Sequence, residues 1–255
     1  MTSNPRYDHR HVIIAGALVF SFAAIWLIPP IAQDPAYHLF ADQRPLWGIP
    51  NFADVVSNVG FLLVAIAGCN TLLQTEPKQS RLGWYLFFIG VGAIGLGSAY
   101  YHWVPTNGTL FWDRLPMTVA FMSLLSSLIA EYINPRWETP SLVITVPIGV
   151  FSVLYWHWAD DLRLYGWVQF TPLLVVALLL WLFNSRHRHQ WWFLAALALY
   201  AGAKVTEHLD HEIFALSKNI FGLAVSGHTL KHVLAAAGCY CLVIMWKRRI
   251  ASQGG

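Results

Sequence analysis

The sequence predicts an all-α fold, a polytopic transmembrane helix bundle with a seven-span core and one additional N-terminal span, and three observations predict it. Only 11% of the 255 residues are charged and 56% are hydrophobic, against roughly 25% charged in a soluble domain. Lipid is therefore the main solvent of this chain. Apolar runs recur at the length that crosses a bilayer, about 17 to 25 residues. Many of the 13 tryptophans stand near the ends of those runs, among them Trp47, Trp84, Trp103, Trp112, Trp158, Trp167, Trp191, Trp192 and Trp246, where an indole favours the membrane–water interface.

The eight runs fall at 12–32, 51–74, 82–103, 111–132, 140–157, 166–184, 190–207 and 222–246. The first follows Arg6 and Arg10, as a signal peptide does. It is longer than a secretory apolar segment of about 7–15 residues, and it ends in Ile28-Pro29-Pro30 without a small-x-small cleavage motif, so it reads as a retained span. The connections are short and carry turn signals: Pro45, Pro50, Pro77, Pro105, Asn107-Gly108, Pro135, Pro140 and Gly166. They leave no space for a soluble domain, and no internal repeat is present. The chain divides into an N-terminal tail, additional span and outer loop (1–50), a seven-span core (51–246) and a basic cytoplasmic tail (247–255).

Lys and Arg sort by side. In the ends and loops, Arg6, Arg10, Lys78, Arg81, Arg136, Arg186, Arg188, Lys247, Arg248 and Arg249 collect on one side, and few on the other, namely Arg44, Arg163 and Lys218. With eight spans, the positive-inside rule places both termini in the cytoplasm. A net charge of +3 without a basic stripe argues against a nucleic-acid partner, and no protein partner is evident. Cys69, Cys239 and Cys241 lie in apolar runs without a C-x-x-C pair and read as small buried hydrophobes.

An ionisable group inside a span costs roughly 2.5–3.5 kcal/mol on insertion scales, which makes each one a functional suspect. Ser98 and His102, in Gly97-Ser98-Ala99-Tyr100-Tyr101-His102, are four apart and share a helix face at the end of the third span. The chain turns through Pro105 and Asn107-Gly108, and Asp113 re-enters at the same depth. His228 and His232 are also four apart, at the start of the last span, a spacing that chelates zinc. A catalytic zinc takes three protein ligands and leaves one position open, and His102 is the natural third. All of these residues fall on the outer side by the charge rule. Haem also uses intramembrane histidines, but its ligands face each other from different helices, unlike His228 and His232.

A further polar group, Lys204, Glu207, His208, Asp210 and His211, ends the seventh span. It reads as support for the zinc histidines or as a solvated helix end, in preference to a second metal site. Lys231 lies between His228 and His232, on another face, and is expected to pair with Glu207 or Asp210. Asp54 and Asn58 share a face and read as a polar bundle contact. His9, His11, His38, His157, His187 and His189 are assigned no role.

The Ser98–His102 segment, Asp113 and the His228–His232 pair together resemble the alkaline ceramidase family, which belongs to a superfamily of seven-span hydrolases that includes the adiponectin receptors. The family pattern is S-x-x-x-H, an aspartate about eleven residues later, and H-x-x-x-H in the last span. Asn51-Phe52-Ala53-Asp54-Val55-Val56-Ser57-Asn58 is similar to the family's first core span, and the likeness runs over roughly 50–246. The resemblance implies that His102, His228 and His232 hold Zn2+, with Ser98 and Asp113 as polar partners of the water at the metal. The chain departs from the family in its additional N-terminal span and in the stretch before Phe52. There Asn51 stands where a glutamate is expected, so calcium regulation is not anticipated. Compact loops and the extra span fit a bacterial-type member in the inner membrane, with the site toward the outer face.

The function implied is a zinc-dependent lipid amidohydrolase of sphingolipid metabolism, cleaving the N-acyl bond of a ceramide-like membrane lipid to a sphingoid base and a fatty acid. Asp113 is then the general base and Ser98 the oxyanion partner. Two alternatives stand beside it: a zinc hydrolase of another lipid amide or ester, and a receptor-like membrane protein in which zinc is structural.

Overall fold

The computed structural model describes residues 9–74, 81–183, 189–221 and 224–252. Lys78, Arg186, Arg188, His187, Pro77 and Arg6 lie outside them. Ten α-helices make up the described chain, with no strand beyond an isolated bridge between Leu46 and Ile49. They are α1 (His9–Ala24), α2 (Phe52–Ser57), α3 (Val59–Leu73), α4 (Leu82–Trp103), α5 (Asn107–Tyr132), α6 (Glu138–Ala159), α7 (Arg163–Leu182), α8 (Trp191–His208), α9 (Asp210–Phe221) and α10 (Gly227–Ala251).

Seven helical stretches are long and apolar enough to cross a membrane: His9–Leu27, Phe52–Leu73, Leu82–Trp103, Asn107–Tyr132, Pro135–Ala159, Arg163–Leu182 and Gly227–Ala251. The expected run at 190–207 forms the 18-residue α8. It is not among those seven, because Lys204 and Glu207 in its last turns dilute its apolar content. It nevertheless packs along α10 as extensively as the spanning helices pack with one another. The chain is thus an all-α polytopic bundle, with α1 at its periphery, where Ile14 is its one buried residue.

The boundaries differ from the apolar runs in four places, each for a local reason. The first run stops being regular helix at Ala24, passes through a 3-10 turn at Ile25–Leu27 and becomes extended at Ile28. Pro29 and Pro30, which lack backbone donors, cannot continue it. The second run is divided at Asn58, whose side-chain amide donates to the Asp54 carbonyl at 2.8 Å and so competes with the helix ladder. A short amphipathic helix, α9, forms between the seventh and eighth runs and carries Asp210 and His211, expected at the end of the seventh span. Finally, α10 runs on to Ala251, so Lys247, Arg248 and Arg249 occupy its last turns, where cations complement the negative end of the helix.

The larger apolar core, around Trp84, Phe88, Leu128, Val243 and Trp246, fills the part of the bundle remote from the C-terminal end of α4. There Arg249 pairs with Glu131 between α10 and α5 at 3.0 Å. A smaller core of Phe40, Tyr101, Leu110, Val153, Trp156 and Tyr165 lies at the opposite end. Exposed side chains such as Leu63, Leu96, Val143 and Trp181 face outward along the spans, as a lipid-solvated surface requires.

Candidate metal centre

Three helix ends build the site. Helix α4 delivers Ser98 and His102 in its last two turns and stops at Val104–Pro105. Thr106 then starts α5: its side chain accepts from the Thr109 backbone, and the Thr109 side chain accepts from the Thr106 backbone. That reciprocal cap satisfies two otherwise orphaned donors and fixes the turn that carries Asp113 back beside α4. Gly97 allows the approach, since a Cβ there would lie 2.1 Å from the Trp112 carbonyl oxygen.

Ser226 caps α10 by accepting from Thr229 N at 2.9 Å. Its hydroxyl also donates to Asp54 at 3.1 Å, and the Thr229 hydroxyl donates to the same carboxylate oxygen at 2.6 Å. Of the expected polar contact of Asp54 and Asn58, Asp54 makes the tie between α2 and the start of α10, while the Asn58 amide bonds backbone carbonyls of its own segment. Asp210 adds a second anchor by accepting from His228 N at 2.7 Å. Gly227 permits it, because a Cβ would meet the Thr206 carbonyl oxygen at 2.1 Å.

These constraints bring His102, His228 and His232 together. Their ring centroids are 4.7, 4.9 and 5.0 Å apart, and all three are buried, His102 completely. One ligand nitrogen from each lies within 4.8 Å of the others, so the cluster could hold a metal ion. Both ring nitrogens of His102, and Nε2 of His232, are buried without a hydrogen-bond partner. A native structure rarely leaves such groups unsatisfied; a cation held between the rings would partner Nε2 of His232 and one of the two nitrogens of His102. The other nitrogen of His232, Nδ1, lies 2.8 Å from the Ser57 hydroxyl.

Ser98 and Asp113 are buried. Both line a cavity of about 340 Å³ together with His232, Lys231, Glu207 and Arg114. Away from these polar groups the wall is apolar: Phe61, Phe87, Val91, Met117, Phe121 and Ala235. A second void of about 70 Å³ shares Phe87, Phe121 and Ala235 and continues between α7 and α8 past Leu173, Val176 and Phe193. Arg114, the neighbour of Asp113, turns to Gln33 at 2.6 Å and sits over the rings of Trp156, Tyr165 and Tyr37 at 4.2, 4.9 and 5.7 Å.

The polar group on α8 and α9 supports the centre. Glu207 pairs with Lys204 and, at 2.7 Å, with Lys231. Lys231 does not point away from the histidines: its ammonium lies 3.0 Å from Nε2 of His228. His211 bonds the Leu39 carbonyl at 3.1 Å. Among the described residues the group that could hold a metal is the trio His102, His228 and His232. His38, expected to be idle, links Tyr101 at 2.9 Å to Asn107 at 3.0 Å.

Ser57, Tyr37 and Phe40 also belong to the site; Ser57 is marked only as part of the Asn51–Asn58 stretch that is similar to the family, and Tyr37 and Phe40 carry no sequence signal of their own. Ser57 stands one turn after Asp54 and next to Asn58. Tyr37, in a 3-10 turn at Pro35–His38, and Phe40, just after it, lie on the strap between α1 and α2. Tyr37 donates to Glu207 at 3.0 Å, and burial, together with the Glu207 carboxylate, holds its phenol well above its ordinary pKa. Asn51, where the resemblance leads one to expect a glutamate, adopts a left-handed backbone with φ 45° and donates to the His102 carbonyl at 2.7 Å.

The family model described as Ceramidase matches residues 48–253. No curated protein matches the chain. The matched stretch contains all of Ser98, His102, Asp113, His228 and His232 and every helix from α2 to α10, and the chain belongs to the ceramidase family.

Proposed function

We propose that the chain is a zinc-dependent hydrolase that cleaves the N-acyl amide bond of a ceramide-like lipid to a sphingoid base and a fatty acid. The observation that carries this reading is the set of buried, unpartnered nitrogens on His102 and His232 beside His228. Three imidazoles suit zinc in donor type and number. The described residues add no fourth ligand to the trio, which favours a catalytic site with an open position over a closed structural one.

A zinc ion held there supplies Lewis acidity toward a carbonyl oxygen and toward water. The chain's own groups do the rest. Asp113, at the polar end of the cavity, takes a proton from the attacking water and delivers it to the leaving amine nitrogen. An amine expelled without that proton is too poor a leaving group for an amide to break, so one carboxylate serves both halves of the reaction. Ser98, which lines the cavity together with Asp113, offers its hydroxyl hydrogen where negative charge gathers on the carbonyl oxygen. The apolar wall from Met117 to Phe87 accommodates the acyl tail, while its amide reaches the polar end.

The charge pattern supports both termini in the cytoplasm and the site toward the outer face, and the compact loops and additional span support a bacterial inner membrane. The family match that begins at residue 48 supports a functional division at about residue 50. The Asn51 amide, turned to the His102 carbonyl, offers no carboxylate for calcium, so activity is independent of that ion.

Elemental analysis and a lipid-amide hydrolysis assay on purified wild type and His228→Ala test the reading together. About one zinc per chain with ceramide hydrolysis in the wild type, and loss of both in the variant, is expected. Wild-type protein that binds zinc stoichiometrically yet hydrolyses no lipid amide or ester would overturn it.

A further inference from the structure

We infer that Phe40, on the strap between α1 and α2, seals the histidine cluster from the aqueous phase and thereby selects substrates presented by the bilayer over those presented by water. The inference rests on the hydrolase reading for its substrate but not for its geometry.

The cluster is enclosed from two sides. On one, His232 lines the apolar cavity and packs against Phe61, with ring centroids 6.2 Å apart. On the other, the Phe40 ring lies 4.5 Å from His102 and 4.9 Å from His228 between centroids. Phe40 is 3% exposed while its neighbour Leu39 is 62% exposed. The strap therefore turns one side chain inward onto the centre and the next outward.

The residues around Phe40 are fastened to four helices. His38 bonds Tyr101 of α4 and Asn107 of α5. The Tyr37 hydroxyl donates to Glu207 of α8. The Leu39 carbonyl meets His211 of α9. The Ala41 amide donates to Asp210 of α9 at 2.9 Å, and the other oxygen of that carboxylate holds the His228 backbone. A hydrated molecule arriving from this side must displace a buried aromatic ring and break these bonds. An acyl chain in the apolar cavity meets no such obstacle. The strap precedes residue 48, where the family match begins.

The test compares wild type, Phe40→Ala, Phe40→Leu and Ala41→Pro, all purified and loaded with zinc in one detergent. Ala41→Pro leaves Phe40 in place and removes the amide that Asp210 holds. The first measurement is the rate of zinc loss to excess EDTA, which needs no substrate. The second is the ratio of hydrolysis of a water-soluble short-acyl amide to that of a long-acyl ceramide. In Phe40→Ala both should rise by about tenfold, equivalent to about 1.4 kcal/mol of barrier. Ala41→Pro should move both in the same direction by less, and Phe40→Leu should stay near wild type.

Unchanged zinc loss and an unchanged ratio in folded Phe40→Ala would overturn the seal while leaving the hydrolase reading intact. If Phe40→Ala does not fold, the same two unchanged values in Ala41→Pro overturn it. If the wild type hydrolyses neither amide, the hydrolase reading fails and zinc loss alone decides the seal. If the wild type holds no metal, the rate at which diethyl pyrocarbonate modifies His228 takes its place, with faster modification expected in Phe40→Ala and an equal rate overturning the seal.

Discussion

The Ser57 hydroxyl lies 2.8 Å from Nδ1 of His232, across 175 residues of sequence. That contact leaves Nε2 of His232 as the nitrogen without a partner. It also fixes the plane of the ring, because the Ser57 hydroxyl is itself 3.0 Å from the Asp54 carbonyl oxygen. Partners of this kind orient a ligand histidine, and their removal typically costs about 10–100-fold in metal affinity or activity. Ser57→Ala is therefore expected to weaken zinc binding by about that factor, measured by competition with a calibrated chelator, and Ser57→Thr to retain wild-type affinity. Equal affinity in Ser57→Ala would remove Ser57 from the site.

Gly97 sets how closely α4 and α5 approach. A methyl group there would lie 2.1 Å from the Trp112 carbonyl oxygen and 3.4 Å from the Asp113 Cα, so the two helices must part. Overpacking of this kind costs typically about 1–3 kcal/mol. Gly97→Ala is expected to lower the melting temperature and to reduce turnover further by separating Ser98 from Asp113. Thermal melting in detergent and a hydrolysis assay on the same preparation check both effects.

Asp161 anchors the turn between α6 and α7 to the strap. Arg163, whose guanidinium reaches it at 2.7 Å, holds its carboxyl at about 2, below an unfolded value of about 3.9. A depressed folded pKa contributes stability that is complete above the unfolded value and disappears as pH falls through the folded one. Asp161→Asn is therefore expected to melt lower than wild type at pH 6, with the gap closing between about pH 4 and pH 2. A gap that stays constant over that window would show that the pair does not act through its charge.

The polar residues of the site are legible in the sequence because lipid makes them costly. Ser98, His102, Asp113, His228 and His232 stand out in spans where a charged or imidazole side chain needs a reason, and helical spacings of four by themselves put pairs on one face. The apolar and small contributors carry no such mark. Phe40 is one of 15 phenylalanines, and only its place over His102 distinguishes it. Ser57 follows ordinary helix residues, and its partner is on α10. The position of Lys231 between the two histidines implies another helix face, but a flexible four-carbon stem lets its ammonium turn toward Glu207 and back to His228. Helix α9 escapes a reading based on apolar length because it is an amphipathic segment of 12 residues, too short to span a bilayer.

Asp113 decides between chemistry and architecture at the centre. Its carboxylate is buried at the polar end of the cavity, where a charge needs compensation. The neighbouring Arg114 is committed to Gln33 and three aromatic rings, so a structural pairing of the two is not what holds Asp113 in place. As a general base, Asp113 contributes the usual two to four orders of magnitude, so Asp113→Asn should lower turnover by about 10²–10⁴-fold. The amide is nearly the same size, and Asp113 does not belong to the ligand trio, so zinc content and melting temperature should stay near wild type. A fourth-ligand role predicts zinc loss in the same variant, and a purely structural role predicts a lower melting temperature with activity largely kept. Zinc content, melting temperature and ceramide hydrolysis measured on that one variant separate the three, and activity retained in Asp113→Asn would refute the general-base assignment whatever became of the metal.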